Sequence, residues 1–221
     1  MSSLTNQATL LGTVASEPEF HQTDDGGARL RFDVTTLTRW GGDDHAKERT
    51  ELHPVEVHDV FARRLHGHLA LGHQVLCEGA VRSRVHAGAR TVVVEASIVH
   101  DLGAPSPDGG RPSRNGVVLL GNVGGTPVLQ QVGNTALLTF RLATKSHEDP
   151  EPEWHTIKVW GRRAEALERI LASGHKLGVA AELRHERYED AQGRAQHAAA
   201  MHAHEIQLLA RPGVSQEAEH S

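Results

Sequence analysis

The sequence predicts an all-β protein built as two tandem five-stranded barrels, each with one short helix. Three observations carry this. The chain repeats itself with its order kept, its apolar residues alternate with the period of a strand, and a stretch rich in Pro, Gly and Ser divides the two copies.

The repeat is read directly from the residues. NQATLLGTVASEP at 6–18 returns as NGVVLLGNVGGTP at 115–127, an offset of 109. RLRFDVTT at 29–36 matches LLTFRLAT at 137–144, an offset of 108. Glu51-Leu52-His53 then matches Glu153-Trp154-His155, Gly72-His73 matches Gly174-His175, and Arg82 matches Arg184, all at 102. The large change in offset falls after Trp40, where a loop can vary in length. The division is domain 1 at 1–103, a linker at 104–114, domain 2 at 115–211 and a disordered polar tail at 212–221.

The elements follow the same order in each copy. A first strand (7–14; 117–123) ends near a Pro-containing turn. A second strand places Leu30, Phe32 and Val34, or Leu138, Phe140 and Leu142, on one face, which makes Phe32 and Phe140 core residues. A third strand spans 53–60 or 155–161. A helix is expected at 62–71 and at 162–172, with Arg163, Ala166, Leu167 and Ile170 at helical spacing and Gly72 and Gly174 as its stops. Two more strands close each copy, HQVLCEGAVRSR with ARTVVVEASIV and HKLGVAAELRHER with AAAMHAHEIQLL. Five strands with a helix between the third and fourth is the order of an OB-fold barrel.

Bulk properties narrow the function. In 221 residues the net charge is −5, hydrophobic residues make up 38% and aromatics only 4%, so each aromatic needs a reason. An acidic balance argues weakly against a nucleic-acid partner, but a local basic groove suffices to bind phosphates. The single cysteine, Cys77, excludes an internal disulfide and fits a reducing cytoplasm; its apolar strand predicts an inert buried thiol. The start of the chain has no basic, apolar signal segment, and no window is apolar enough for a membrane helix. No Gly-rich phosphate loop, nucleophile triad or carboxylate pair stands out, so no enzyme and no cofactor is expected; GNVGG at 121–125 lacks a strand-to-helix context.

The residues resemble those of the bacterial single-stranded-DNA-binding protein family, over nearly the whole of both copies. The marks are Asn115, Leu119, Gly121, Val123 and Pro127; Glu153-Trp154-His155 with Val159-Trp160-Gly161; and Gly72, Val75, Cys77, Glu78, Gly79, Val81, Arg82 and Arg84. The resemblance implies sequence-independent binding of single-stranded DNA in replication, recombination or repair. Exposed bases stack on aromatic rings, and Arg and Lys beside them neutralise phosphates. Carried over by position, domain 2 keeps Trp154, Trp160 and Tyr188 as stacking rings. Trp154 and Trp160 are six residues apart and so share a strand face. Lys158, Arg162, Arg163, Arg184, Arg187 and Arg194 are its candidate phosphate contacts.

Domain 1 is eroded. Leu52, His58 and His86 stand at the matching positions, leaving Trp40, Arg39, Arg82 and Arg84 as its candidates, with Phe61 shifted from the family position. Residues 1–103 hold 10 basic and 14 acidic residues; residues 113–212 hold 12 and 11. Domain 2 is therefore expected to bind the strand more tightly, with domain 1 serving in assembly or binding weakly. Two barrels per chain imply a homodimer that reaches four barrels. The end EAEHS has no acidic tail with an apolar tip, which weakens the family's recruitment of replication and repair partners.

Other readings compete. Trp154 and Trp160 could be core residues, although Ile157 and Val159 between them cannot all share one inward face with them. The chain could be a diverged primosome-type or structural OB-fold protein that mainly binds protein. The seventeen histidines, with clusters at His66, His68 and His73 and at His197, His202 and His204, suggest metal, but no recognisable four-ligand set accompanies them, so no metal site is expected.

Overall fold

The computed structural model describes residues 5–22, 26–41, 47–86, 89–105, 112–146, 150–189 and 195–210, with the side chains of all but 85–86, 89–90, 187–189 and 195–197. The 212–221 tail and Arg194 lie outside the described residues. Contacts divide the chain into two compact units, one built on Gln7–Val117 with Leu183–Ala199, the other on Val118–Glu182 with the chain from Ala200 onward and Met1–Asn6.

The first barrel consists of β1 (Asn6–Val14), β2 (Glu19–Gln22), β3 (Ala28–Trp40), β4 (Lys47–His58), α1 (Asp59–Leu65), β5 (Gln74–His86) and β6 (Ala89–Asp101). β1 pairs antiparallel with both β3 and β5, β3 with β4, and β5 with β6, while β4 and β6 run parallel. The ring is therefore β1-β3-β4-β6-β5, closed on β1, with β2 laid against β3. This is the predicted five-stranded OB-fold order. Alternation fills it: Leu30, Phe32 and Val34 of β3 are buried opposite Val57, Val55 and His53 of β4. Cys77 is buried too, and burial pushes its thiol up to about 12, which leaves it inert as expected.

The second barrel repeats the plan with β7 (Arg114–Val132), β8 (Thr135–Thr144), β9 (Glu153–Trp160), α2 (Arg162–Glu168), β10 (Lys176–Glu189) and β11 (Ala195–Ala210). Its ring is β7-β8-β9-β11-β10, closed by a β10–β7 pairing, and β9 and β11 run parallel. Leu138, Phe140 and Leu142 are buried as predicted.

Each barrel buries a Thr–His pair at the same place. Thr36 Oγ1 and His53 Nε2 lie 2.8 Å apart, and Thr144 Oγ1 and His155 Nε2 lie 2.9 Å apart. Burial, with a smaller contribution from the charge of His185, pulls the His53 imidazole down to about 3. Both histidines are structural, as expected for the residue after the strand-three aromatic position.

Several boundaries differ from the expectation. The helices begin at 59 and 162 and end at 65 and 168, so both are shorter than predicted, and β4 yields to α1 two residues early. Gly72 and Gly174 are not helix stops. Their amides donate to Val14 O and Val123 O, while Val14 and Val123 donate back to His73 O and His175 O. These reciprocal bonds tie the entry of the fourth strand to the end of the first. Nor do Arg163, Ala166 and Ile170 form the buried helix face; all three are exposed, and Ala164 and Leu171 are the buried residues. The first strand of the second copy runs far past its turn, to Val132, with a register shift between Gly124 and Val128. Just before β7, Leu37 N–H donates to Ser113 Oγ at 2.6 Å, and Gln74 Nε2 donates to Pro112 O at 2.9 Å.

Candidate nucleic-acid interface

Strand β9 builds the site by alternation. His155, Ile157 and Val159 are buried, so Trp154, Thr156, Lys158 and Trp160 point outward. Trp154 is 43% and Trp160 38% exposed, which excludes a core role for either ring. At about 3.3 Å per residue their anchor points lie about 20 Å apart along one strand, with Lys158 between them.

Neighbouring strands complete this wall. The register sets Thr139 opposite Lys158, Arg141 opposite Thr156 and Ala143 opposite Trp154. The Arg141 guanidinium carbon sits 5.8 Å from the Trp154 ring centroid, a cation–π contact worth about 0.5–1 kcal/mol at an exposed site. On the other side, the parallel pairing sets His202 beside Lys158. Trp160 Nε1 donates to His202 Nδ1 at 3.3 Å, and the two rings stack with centroids 6.3 Å apart. The wall thus presents two partly open indole faces, a lysine and an arginine. Flat rings offer a π-face to any base, and the cations suit phosphate.

The remaining candidates are placed elsewhere. Arg162 and Arg163 open α2 and are exposed, with Arg163 Nη1 donating to His204 O. Arg184 lies half-buried on β10. The backbone of Arg187 and Tyr188 continues β10, but their side chains are outside those described. Trp40 ends β3, 44% exposed, with the Arg49 guanidinium 5.7 Å from its ring centroid. Arg39 is paired with Glu48 at 2.6 Å and Arg84 with Glu95, while Arg82 is half-buried on β5.

The equivalent wall of the first barrel has different chemistry. Leu52, Pro54, Glu56 and His58 stand where Trp154, Thr156, Lys158 and Trp160 stand, and Asp33 replaces Arg141. Leu52 is exposed, and Glu56 is buried in an ion pair with Arg31 at 3.1 Å. The burial of Asp33 raises its carboxyl above the usual range, partly offset by the Ser16 hydroxyl that hydrogen-bonds the same residue.

Sequence reasoning missed Arg141, Arg49 and His202. The alternation of β8 marks Arg141 as outward, but only the strand register shows which ring it serves. His202, one of the clustered histidines, supports the Trp160 indole; among the described residues no cluster of three metal-ligating side chains occurs. No helix among them is long and apolar enough to cross a membrane.

Two closed OB-fold barrels, one with open aromatic rings and cations on its outer wall, define a tandem OB-fold binding protein. Sequence comparison makes this particular: the chain matches the single-strand binding protein family over residues 5–100 and again over 114–209, and it belongs to that family, one of non-enzymatic binding proteins. Relatives include single-stranded DNA-binding proteins from Thermosynechococcus vestitus (27% identical over 78 residues, 34% of this chain) and Xylella fastidiosa (26% over 103, 43% of this chain). A third, from Bacteroides thetaiotaomicron, is 29% identical over 113 residues, 47% of this chain. The chain spans 65%, 63% and 70% of the lengths of these relatives. The fold resembles crystal structures of the single-stranded DNA binding protein from Thermus aquaticus. A deletion variant gives a TM-score of 0.80 at 22% identity, covering 96% of this chain and 98% of that one. The wild type gives 0.77 at 22%, covering 95% of each.

Proposed function

We propose that this protein binds and protects single-stranded DNA without sequence preference, in the cytoplasm, during replication, recombination or repair. The observation that carries this is the β9 wall: Trp154 and Trp160 outward on one strand, with Lys158 between them and Arg141 over one ring. Bases stack on the two indoles, and Lys158, Arg141, Arg162, Arg184 and Arg187 neutralise phosphates, with Tyr188 as a further ring. The names of the relatives support the same ligand.

The second barrel is the principal site in this reading. The first, with its carboxylates and with Arg39 and Arg84 in ion pairs, binds weakly through Trp40, Arg39, Arg82 and Arg84 or serves assembly. Two chains supply four barrels. A second reading, that the first barrel mainly contacts protein, is favoured by the exposed Leu52, Val60 and Phe61 where the second barrel has Trp154, Arg162 and Arg163.

The test is a titration with labelled oligo-dT. Trp154→Ala with Trp160→Ala should weaken binding far more than Trp40→Ala. Equal loss in the two variants would defeat the ranking of the barrels, and no loss in either would defeat the stacking reading.

A further inference from the structure

Trp154 does not simply project into solvent. Its register partner on β8 is the small Ala143, and its six-membered ring lies over Gly124 of β7, one strand further on. A Cβ built on Gly124 would fall 2.5 Å from Trp154 Cη2 and closer still to Cζ3, and the only atoms within 4 Å of it among the three nearest belong to that ring. The backbone of Gly124 is not left-handed, so its conformation does not itself demand glycine. What demands it is the indole.

The chain supplies its own comparison. Val14 and Val123 hold the same place in the two barrels, because each exchanges the same pair of backbone bonds with the Gly-His turn before the fourth strand. The next residues are therefore equivalent: Ala15 in the first barrel, Gly124 in the second. In the first barrel Ala15 goes with Leu52, whose register partner is Thr35; in the second Gly124 goes with Trp154, whose register partner is Ala143. Where the ring is present the neighbouring strands carry the smallest side chains, and where the ring is gone a Cβ has returned.

We propose that Gly124 is a positioning residue: it is the seat that holds the Trp154 indole flat against the barrel wall, ready to stack on an unpaired base. Without that seat the ring must lift by more than an ångström or change rotamer, which spoils a stacking surface while leaving the core untouched. The inference rests on the single-strand reading for its consequence, but the placement of the ring is testable without DNA.

The experiment uses the full chain labelled with 5-fluorotryptophan, whose three indole resonances are assigned by single Trp→Phe variants. Gly124→Ala should shift the Trp154 resonance and leave those of Trp40 and Trp160 in place. It should also weaken oligo-dT binding about 5- to 150-fold, the loss expected for one stacked base, and add little to Trp154→Ala in the double variant. An unmoved Trp154 resonance, or additive losses in the double variant, overturns the proposal. If Trp154→Ala itself leaves oligo-dT affinity unchanged, the stacking reading fails, while the resonance still judges the seat. The reverse construction guards against a Gly124→Ala chain that does not fold: Leu52→Trp should gain oligo-dT affinity in the first barrel only when combined with Ala15→Gly. An equal gain from Leu52→Trp alone counts against the seat.

Discussion

Acidification should unload stability through one buried histidine. His53 is fully buried on β4, its Nε2 beside the Thr36 hydroxyl, and burial, helped by the charge of His185, holds its imidazole near 3 instead of the ordinary 6.5. The unfolded chain therefore binds a proton that the folded chain refuses. Stability from this group is fully present above the unfolded value of about 6.5 and is lost as the pH falls toward the folded value of about 3. Between pH 7 and pH 5 the unfolded imidazole goes from mostly neutral to almost fully protonated while the folded one stays neutral, a loss of about 2 kcal/mol. Asp33, shifted upward, acts with the opposite sign and at lower pH. The assay is urea unfolding followed by circular dichroism at pH 7, 6 and 5, in wild type and in His53→Gln, whose amide keeps a polar atom near Thr36 but does not titrate. The wild type should lose about 2 kcal/mol more than the variant over this interval. Identical pH slopes in the two proteins would refute the reasoning.

Two further outcomes follow from single residues. Arg141→Ala removes a cation from beside Trp154; oligo-dT affinity should fall, and the slope of log affinity against log salt should become shallower by about 0.7 if Arg141 meets one phosphate. A residue with positive φ joins the third strand to the helix in each barrel, Asp59 at 53° and Gly161 at 68°. Gly161 combines that φ with ψ −147°, a region that residues with a Cβ scarcely enter, so Gly161→Ala should cost about 1–3 kcal/mol in thermal or urea unfolding.

Much of this was legible because strands obey a period of two. The spacing of Trp154 and Trp160 sets both rings on one face, with Ile157 and Val159 favouring the outward one, and the repeat with its Pro-rich joint points to two similar barrels. The partners of those rings were hidden, since Arg141, His202 and Gly124 sit on other strands and reach β9 only through registers that no local pattern encodes. The helices were overextended because Leu69 and Leu71, or Ile170 and Leu171, continue an apolar rhythm beyond the last helical bond, into turns whose amides serve other partners. The constant offset of 102 already sets Val60 and Phe61 against Arg162 and Arg163; only the structure shows that both apolar side chains stand exposed.

Photocrosslinking the protein to oligo-dT and mapping the adducts by mass spectrometry asks most directly whether the β9 wall is where bases lie. Adducts on peptides carrying Trp154 or Trp160 are the predicted result. Adducts confined to residues 5–100, with the β9 peptides unmodified, would contradict the account.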